Sequence, residues 1–324
     1  MVTGQDLVEW QLRVASGEPL PLTQDEIAID GWAMEARLYA ENPATGFLPS
    51  TGPLEHFRLP EDEIRVDSAV EEGGEVTPFY DPMIAKLIVH AHNRAAAARQ
   101  LAEACRSVEV WPVKTNAAFL ARCADHADFV RGDIDTGFIG VRLEELVRSA
   151  EPSPTLLSEA AFCAIDLDPP GNERTSAWSS LAGAAGFRLN APRMTRIPLW
   201  LGDEELGAER SVLPVYRRTT FSEGQRVVAF EDGATFEFTT RKPVALAEGG
   251  EAADGSILSP MPGKIVSVSV KAGDAVTRGQ TLLVLEAMKM EHALAAPFDG
   301  VVAELSAEAG AQVSEGVVLV KLEA

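Results

Sequence analysis

The C-terminal stretch constrains the fold more than any other, because it repeats itself. Displacing residues 256–324 by 37 positions brings Pro260 onto Pro297, Gly263 onto Gly300 and Ala272-Gly273 onto Ala309-Gly310, with no gap. Val276 then meets Val313, Gly279 meets Gly316, Leu282 meets Leu319, and Leu285-Glu286-Ala287 meets Leu322-Glu323-Ala324. Each copy is too short to bury an apolar face alone. The pattern therefore predicts two β units that close on one another as a small, flattened β-sandwich with a pseudo-twofold axis. Met288-Lys289-Met290 lies where the first copy hands over to the second, which places Lys289 on an exposed turn of a rigid scaffold. A modifying enzyme can reach an amine there. The long stem then becomes a tether that presents an attached group at high effective concentration.

The remainder reads as α+β and multidomain. Thr3 and Asp6 have the spacing of a capping box, Leu7, Trp10, Gln11 and Val14 share a helical face, and Gly17 can end that helix. Residues 31–40 alternate as a strand, 84–90 form a second apolar strand, and 93–105 and 115–123 read as helices, with Thr115 capping the latter. Glu151-Pro152-Ser153-Pro154 and Asp168-Pro169-Pro170-Gly171-Asn172 are breaks, with a helix over 156–165 between them. Short β-like runs at 196–200, 226–230 and 235–239 predict a small antiparallel sheet or barrel. Residues 248–255 read as a flexible acidic linker. The domain boundaries this implies are 1–145, 146–250 and 256–324.

Composition removes several classes of function. Lys and Arg number 28 against 49 Asp and Glu, a net charge of −21, which disfavours nucleic acid and anionic membrane as partners. Cys105, Cys123 and Cys163 are odd in number and widely spaced, which argues against a disulfide framework or zinc site and for a reducing, cytoplasmic setting. Residues 1–10 lack a signal-peptide pattern, and no apolar run approaches the ~20 residues of a membrane helix. The histidines show no metal-ligand spacing, apart from His90 and His92, which can share a strand face. Tyr80-Asp81-Pro82 reads as a turn with Asp81 as acceptor, and Lys86 as an ion-pair or interface residue rather than a catalyst. Neither a Walker-type loop nor a Gly-x-Ser-x-Gly elbow occurs.

A lone lysine would be an ordinary solvated side chain, but Lys289 is not alone. Glu286-Ala287-Met288-Lys289-Met290, with Ser259-Pro260-Met261-Pro262-Gly263 upstream and Ala296-Pro297-Phe298-Asp299-Gly300 downstream, resembles the attachment motif of biotin-dependent carboxylases. The resemblance implies biotin joined covalently to Lys289, with Glu286, Ala287, Met288 and Met290 completing the motif. Met288 and Met290 would shape the turn that a biotin protein ligase recognises. A lipoyl carrier shares the architecture, but its lysine is typically flanked by Asp and by Ala or Ser, where this one has methionine on both sides.

Residues 1–145 resemble the C-terminal part of the biotin carboxylase domain in acyl-CoA carboxylase α subunits. The match runs through Met1-Val2-Thr3-Gly4, residues 6–17, Glu35-Ala36-Arg37-Leu38-Tyr39-Ala40-Glu41-Asn42-Pro43, residues 79–87 and Lys114-Thr115-Asn116. Residues 6–24 are closest to the 3-methylcrotonyl-CoA type, ahead of propionyl, acetyl and geranyl, and residues 178–190 resemble the region that docks such a subunit on its partner. The implied architecture is a biotin carboxylase C-terminal lobe, a helix-plus-antiparallel β-barrel docking domain, and a β-sandwich biotinyl domain. From spacing alone, Arg37 is a strand-surface cation paired with Glu35 or Glu41. The resemblance gives Arg37 a catalytic role, stabilising the negative charge on the ureido oxygen when biotin is deprotonated. Asn42 stands where the family commonly has Asp, and Trp32 where it has His.

The family's phosphate loop, nucleotide lysine and magnesium carboxylates are not found in this sequence. In the resembled subunits they precede the matching segment. The resemblance thus implies that ATP, magnesium and bicarbonate bind an ATP-grasp half outside this chain, which alone would not carboxylate biotin. It also implies a carboxyltransferase β subunit that holds the acyl-CoA. The alternative is a non-enzymatic carrier and assembly subunit served by a separate ATP-grasp chain. Residues 1–145 are expected to expose apolar surface that such a half would cover.

Overall fold

The computed structural model describes residues 1–167, 196–209, 220–223, 226–241, 255–287, 290–314 and 316–323. The breaks read at 168–172, the docking-region resemblance at 178–190 and most of the acidic linker at 248–255 lie outside the described residues.

The N-terminal unit opens with helix α1 (Leu7–Ala15). Asp6 caps it by accepting from the amides of Val8 and Glu9 at 3.0 and 2.9 Å, so the cap is Asp6 itself rather than a Thr3 box. Gly17, at φ +92°, ends it as expected. Strands β1 (Trp32–Tyr39), β2 (Gly52–Arg58), β3 (Arg65–Ser68) and β4 (Met83–Ala91) follow. Then come α2 (Arg94–Arg106), β5 (Glu109–Pro112) and α3 (Ala117–Asp125). β4 is central, with β1 and β3 antiparallel on either side, and β2 pairs with β5. Strand alternation sends Ala36, Leu38, Leu87 and Val89 to a core roofed by Ala97, Leu101, Ala102 and Cys105 of α2 and Ala117 and Ala121 of α3. The opposite face of β1, β4 and β3 carries charges.

Helix α4 (Pro154–Leu167) begins the middle unit. Leu156, Ala160, Ala161 and Ala164 recur at helical spacing and pack on Ile197, Leu199, Val227, Ala229, Phe236 and Phe238. Those residues belong to an antiparallel sheet of β6 (Arg196–Leu201), β7 (Glu204–Glu209), β8 (Thr220–Glu223), β9 (Arg226–Glu231) and β10 (Ala234–Thr239), in the order β7-β6-β10-β9-β8. Its end strands β7 and β8 are not paired with each other. Among the described residues this is an open sheet and not the barrel expected from the sequence. One reason is that β9 is buried on both faces. Val227 and Ala229 face α4, while Val228 and Phe230 pack against Trp111 of the N-terminal unit. A face already covered by another domain has no need to curl upon itself.

The C-terminal unit is the predicted sandwich. Its strands are β11 (Ser256–Leu258), β12 (Gly263–Val268), β13 (Ala275–Val276), β14 (Thr281–Ala287), β15 (Met290–Ala295), β16 (Gly300–Leu305), β17 (Gln312–Val313) and β18 (Val318–Glu323). The sheets run β11-β18-β16-β13 and β15-β14-β12-β17. The displacement of 37 maps one sheet's pairing onto the other's: Ile265↔Leu285 becomes Val302↔Leu322, and Gly263↔Val313 becomes Val276↔Gly300. Each copy lends its short strand to the other's sheet, because β13 pairs with β16 and β17 with β12. Each sheet is therefore built from strands of both copies. Ile265, Leu282, Leu283, Leu285, Leu319 and Leu322 fill the space between the sheets.

Candidate functional site

Two places carry the residues singled out from the sequence. The first is the β14–β15 hairpin. Its register runs Leu285↔His292, Glu286↔Glu291 and Ala287↔Met290. Met288 and Lys289 are the residues between those paired ends and lie outside the described residues. Leu285 and Ala287 are buried in the sandwich, whereas Glu286 is exposed. The hairpin is therefore anchored by its inward face up to the last pair before Lys289. On the outward face Glu286 stands between Lys264 of β12 and Glu291 of β15, so attraction on one side offsets like-charge repulsion on the other. His292 is half-buried, and its Nε2 has no hydrogen-bond partner. Burial holds the His292 pKa below its ordinary value. The sequence reading passed over His292 as one more histidine without metal spacing.

The second place is the charged face of the N-terminal sheet. Register aligns Arg37, Lys86 and Asp67 across β1, β4 and β3, and Glu35, Ile88 and Arg65 in the next row. Asp67 accepts from Arg65 at 3.0 Å and from Lys86 at 3.0 Å, and these partners hold its carboxyl below the usual range. The ion pair expected of Lys86 is thus present. Arg37 is left with Glu35 at 3.5 Å, and its side chain is 63% exposed. Tyr39 and then Glu35 raise its pKa further, so it is a fixed cation at every accessible pH. Of the two partners weighed from spacing, Glu35 is the one observed; Glu41 is engaged elsewhere.

Glu41 belongs to an arrangement the sequence did not announce. Asn116 is buried, and its Oδ1 accepts from the Tyr39 amide at 3.0 Å. Its Nδ2 donates to Glu41 at 2.9 Å and to the Arg37 carbonyl at 3.4 Å. One amide brackets both ends of the segment that presents Arg37. That use also explains why α3 starts at Ala117: Asn116 holds the cap position with its side chain committed to β1, and Thr115 receives only a 3.4 Å contact from the Ala117 amide. The presence of Lys114-Thr115-Asn116 was a signal, but its contact spans 77 residues and left no local trace.

The other candidates are structural. Asp81 accepts from the Met83 amide at 2.9 Å, as its turn requires, and His90 bonds the Asp30 carbonyl at 2.7 Å. Burial pushes the Cys105 and Cys123 thiols up to about 12 and about 11, too high for either to act as a nucleophile. Among the described residues no group of His, Cys, Asp or Glu could hold a metal, and no helix is long and apolar enough to cross a membrane.

Comparison with known proteins finds a matching family over each of the two regions. Residues 35–141 match the biotin carboxylase C-terminal domain family, and residues 255–322 match the family described as biotin-requiring enzyme. The chain is 34% identical over 342 residues to the mitochondrial methylcrotonoyl-CoA carboxylase subunit α of Dictyostelium discoideum, an alignment covering 91% of this chain and 49% of the relative. It is 32% identical over 370 residues to the propionyl-CoA carboxylase α chain of Ruegeria pomeroyi, covering 91% and 52%. A solved biotin carboxylase domain of a thermophilic 2-oxoglutarate carboxylase is 37% identical, with a TM-score of 0.44, over 46% of this chain and 34% of that one. The chain spans about half the length of the curated relatives it matches. The chain thus joins a biotin carboxylase C-terminal domain and a biotin-requiring domain in one polypeptide, and over 91% of its length it is similar to α subunits of methylcrotonoyl-CoA and propionyl-CoA carboxylases.

Proposed function

We propose that this chain is the biotin-carrying portion of an acyl-CoA carboxylase of the 3-methylcrotonyl-CoA type, with biotin joined through an amide to Lys289. The observation that carries the reading is the β14–β15 hairpin: it is core-anchored to Ala287↔Met290, and Met288-Lys289 is the sequence between those ends. The hairpin's buried face fixes where the tether begins, and its outward face leaves Glu286 accessible to a ligase. When bound, biotin carries an activated carboxyl group from a loading site to an acceptor. Arg37 supplies the positive charge that meets negative charge developing on the ureido oxygen. Tyr39 and Glu35 orient that guanidinium, and Asn116 fixes the strand beneath it. ATP, magnesium and bicarbonate belong to an ATP-grasp half of the same enzyme. The unit over 146–250 docks on a carboxyltransferase β subunit, which holds the acyl-CoA. The names of the methylcrotonoyl-CoA relatives support the substrate class.

The test is reconstitution. Biotinylated chain, a separately expressed ATP-grasp half and a β subunit are combined, and acyl-CoA carboxylation is followed with labelled bicarbonate. The proposal expects activity that needs all three components. Arg37→Gln should lower kcat about 10²–10³-fold while biotin attachment stays complete. Full activity with Arg37→Gln, or no complex with the β subunit, would contradict it.

A further inference from the structure

We propose a second site that takes a phosphate-sized oxyanion, in a cavity of about 140 Å³ where the N-terminal and middle units meet. Its walls come from the segment at Asn42, the start of α3, the segment from Val147, the β9–β10 turn at Gly233 and the start of β10. Lys114, Arg122 and Arg148 line it, and no Asp or Glu does. In a chain with 49 acidic and 28 basic residues, a cavity lined by three cations and no carboxylate is an electrostatic exception.

The cations are unequal. Lys114 is partly neutralised by Glu237 at 3.4 Å. Arg122 is half-buried and donates its Nε to the Leu146 carbonyl at 2.6 Å, and among the described residues no carboxylate pairs with it or with Arg148. Burial depresses the Arg122 pKa, and the nearby Arg148 charge depresses it further. Arg122 and Arg148 line one half-open cavity with no carboxylate among its lining residues, and their like charges repel each other. An oxyanion between them reverses the sign of that interaction and offers acceptors to their forked N–H groups. Asn42 and Thr235 line the cavity as well, the Asn42 Oδ1 accepting from the Ala44 amide and the Thr235 hydroxyl donating to the Val110 carbonyl. Lys114 and Arg148 are exposed and Arg122 is half-buried, so an oxyanion would enter from solvent, and the overall negative charge keeps casual anion binding low.

Because the lining comes from both units, the bound oxyanion would tighten their junction. The site lies apart from Lys289 and Arg37 in the chain and does not rest on the function proposed above. Bicarbonate and inorganic phosphate share the required chemistry, so both are tested.

The full-length chain is titrated at constant ionic strength with inorganic phosphate, bicarbonate or chloride, following thermal unfolding and, for phosphate, ³¹P line width. The site predicts saturable stabilisation by phosphate, bicarbonate or both, and none by chloride. Arg148 is exposed and among the described residues carries no ion pair, so Arg148→Gln should fold normally and bind about tenfold more weakly. Arg148→Glu, which gives Arg122 a carboxylate partner, should abolish binding and raise the unfolding temperature in anion-free buffer. Phosphate-only saturation identifies the occupant as a phosphoryl group, and bicarbonate-only saturation as a carboxylate-like anion. Absence of saturation by either, or binding unchanged in both variants, overturns the proposal.

Discussion

At the scale of single residues, the site depends on groups that orient others. The Asn116 side chain makes three contacts to the segment 37–41. Asn116→Ala strips partners from the Tyr39 amide and the half-buried Glu41 at once, and should cost about 2–3 kcal/mol in urea unfolding of the full chain. An effect below about half that would show that water replaces the bracket. His292 gives a pH signature. Its folded pKa lies below the ordinary 6.5, so the unfolded state takes up a proton first and stability falls as pH drops through that value. The carrier domain should therefore lose stability between neutral pH and about pH 5. His292→Leu should flatten that loss when unfolding is followed across pH; an unchanged pH dependence would assign the effect to another group.

At the scale of elements, the internal repeat was readable and the hydrogen-bonding scheme bears it out. Gly273 donates to the Val302 carbonyl at 2.8 Å, and its counterpart Gly310 donates to Ile265 at 2.7 Å. Both adopt a left-handed conformation, at φ +92° and +89°, with open space where a Cβ would stand. Alanine is then disfavoured by backbone strain rather than collision. Gly273→Ala and Gly310→Ala should each cost about 1–2 kcal/mol, equal within about 0.5 and additive in the double variant. Unequal costs would mean that the twofold relation is one of sequence but not of energy. Elements whose periodicity faces a core in the same unit, such as β1, β4 and α2, were legible to within a residue or two of their ends. α1 was legible as a helix but not in its role. Of the residues sharing its mostly apolar face, Leu7 and Val14 are exposed, and no residue of the helix is buried. Periodicity reports that a face is apolar; it does not say what covers it.

For the whole molecule, the joint between the first two units is what the sequence hid, because its contacts pair residues far apart in the chain. His56 lies 2.9 Å from Glu109 and stacks on Phe230 at 5.0 Å between centroids. Thr235 donates to the Val110 carbonyl at 3.0 Å. Gly233, at φ +75°, sits so close that a Cβ would meet the Cys105 carbonyl oxygen at 2.7 Å and the Ala118 amide at 3.0 Å. Gly233→Val should therefore push the units apart, cost about 2–4 kcal/mol and split one calorimetric transition into two. A single unshifted transition would show that the joint contributes little. In the proposed function the C-terminal unit is a carrier whose tethered group visits separate sites. The most direct test of that carrier role is the intact mass of the full chain after co-expression with a biotin protein ligase, beside the Lys289→Arg variant. The account predicts a gain of one biotin on the wild-type chain and none on the variant; no gain in either, or a gain that survives the substitution, would contradict it.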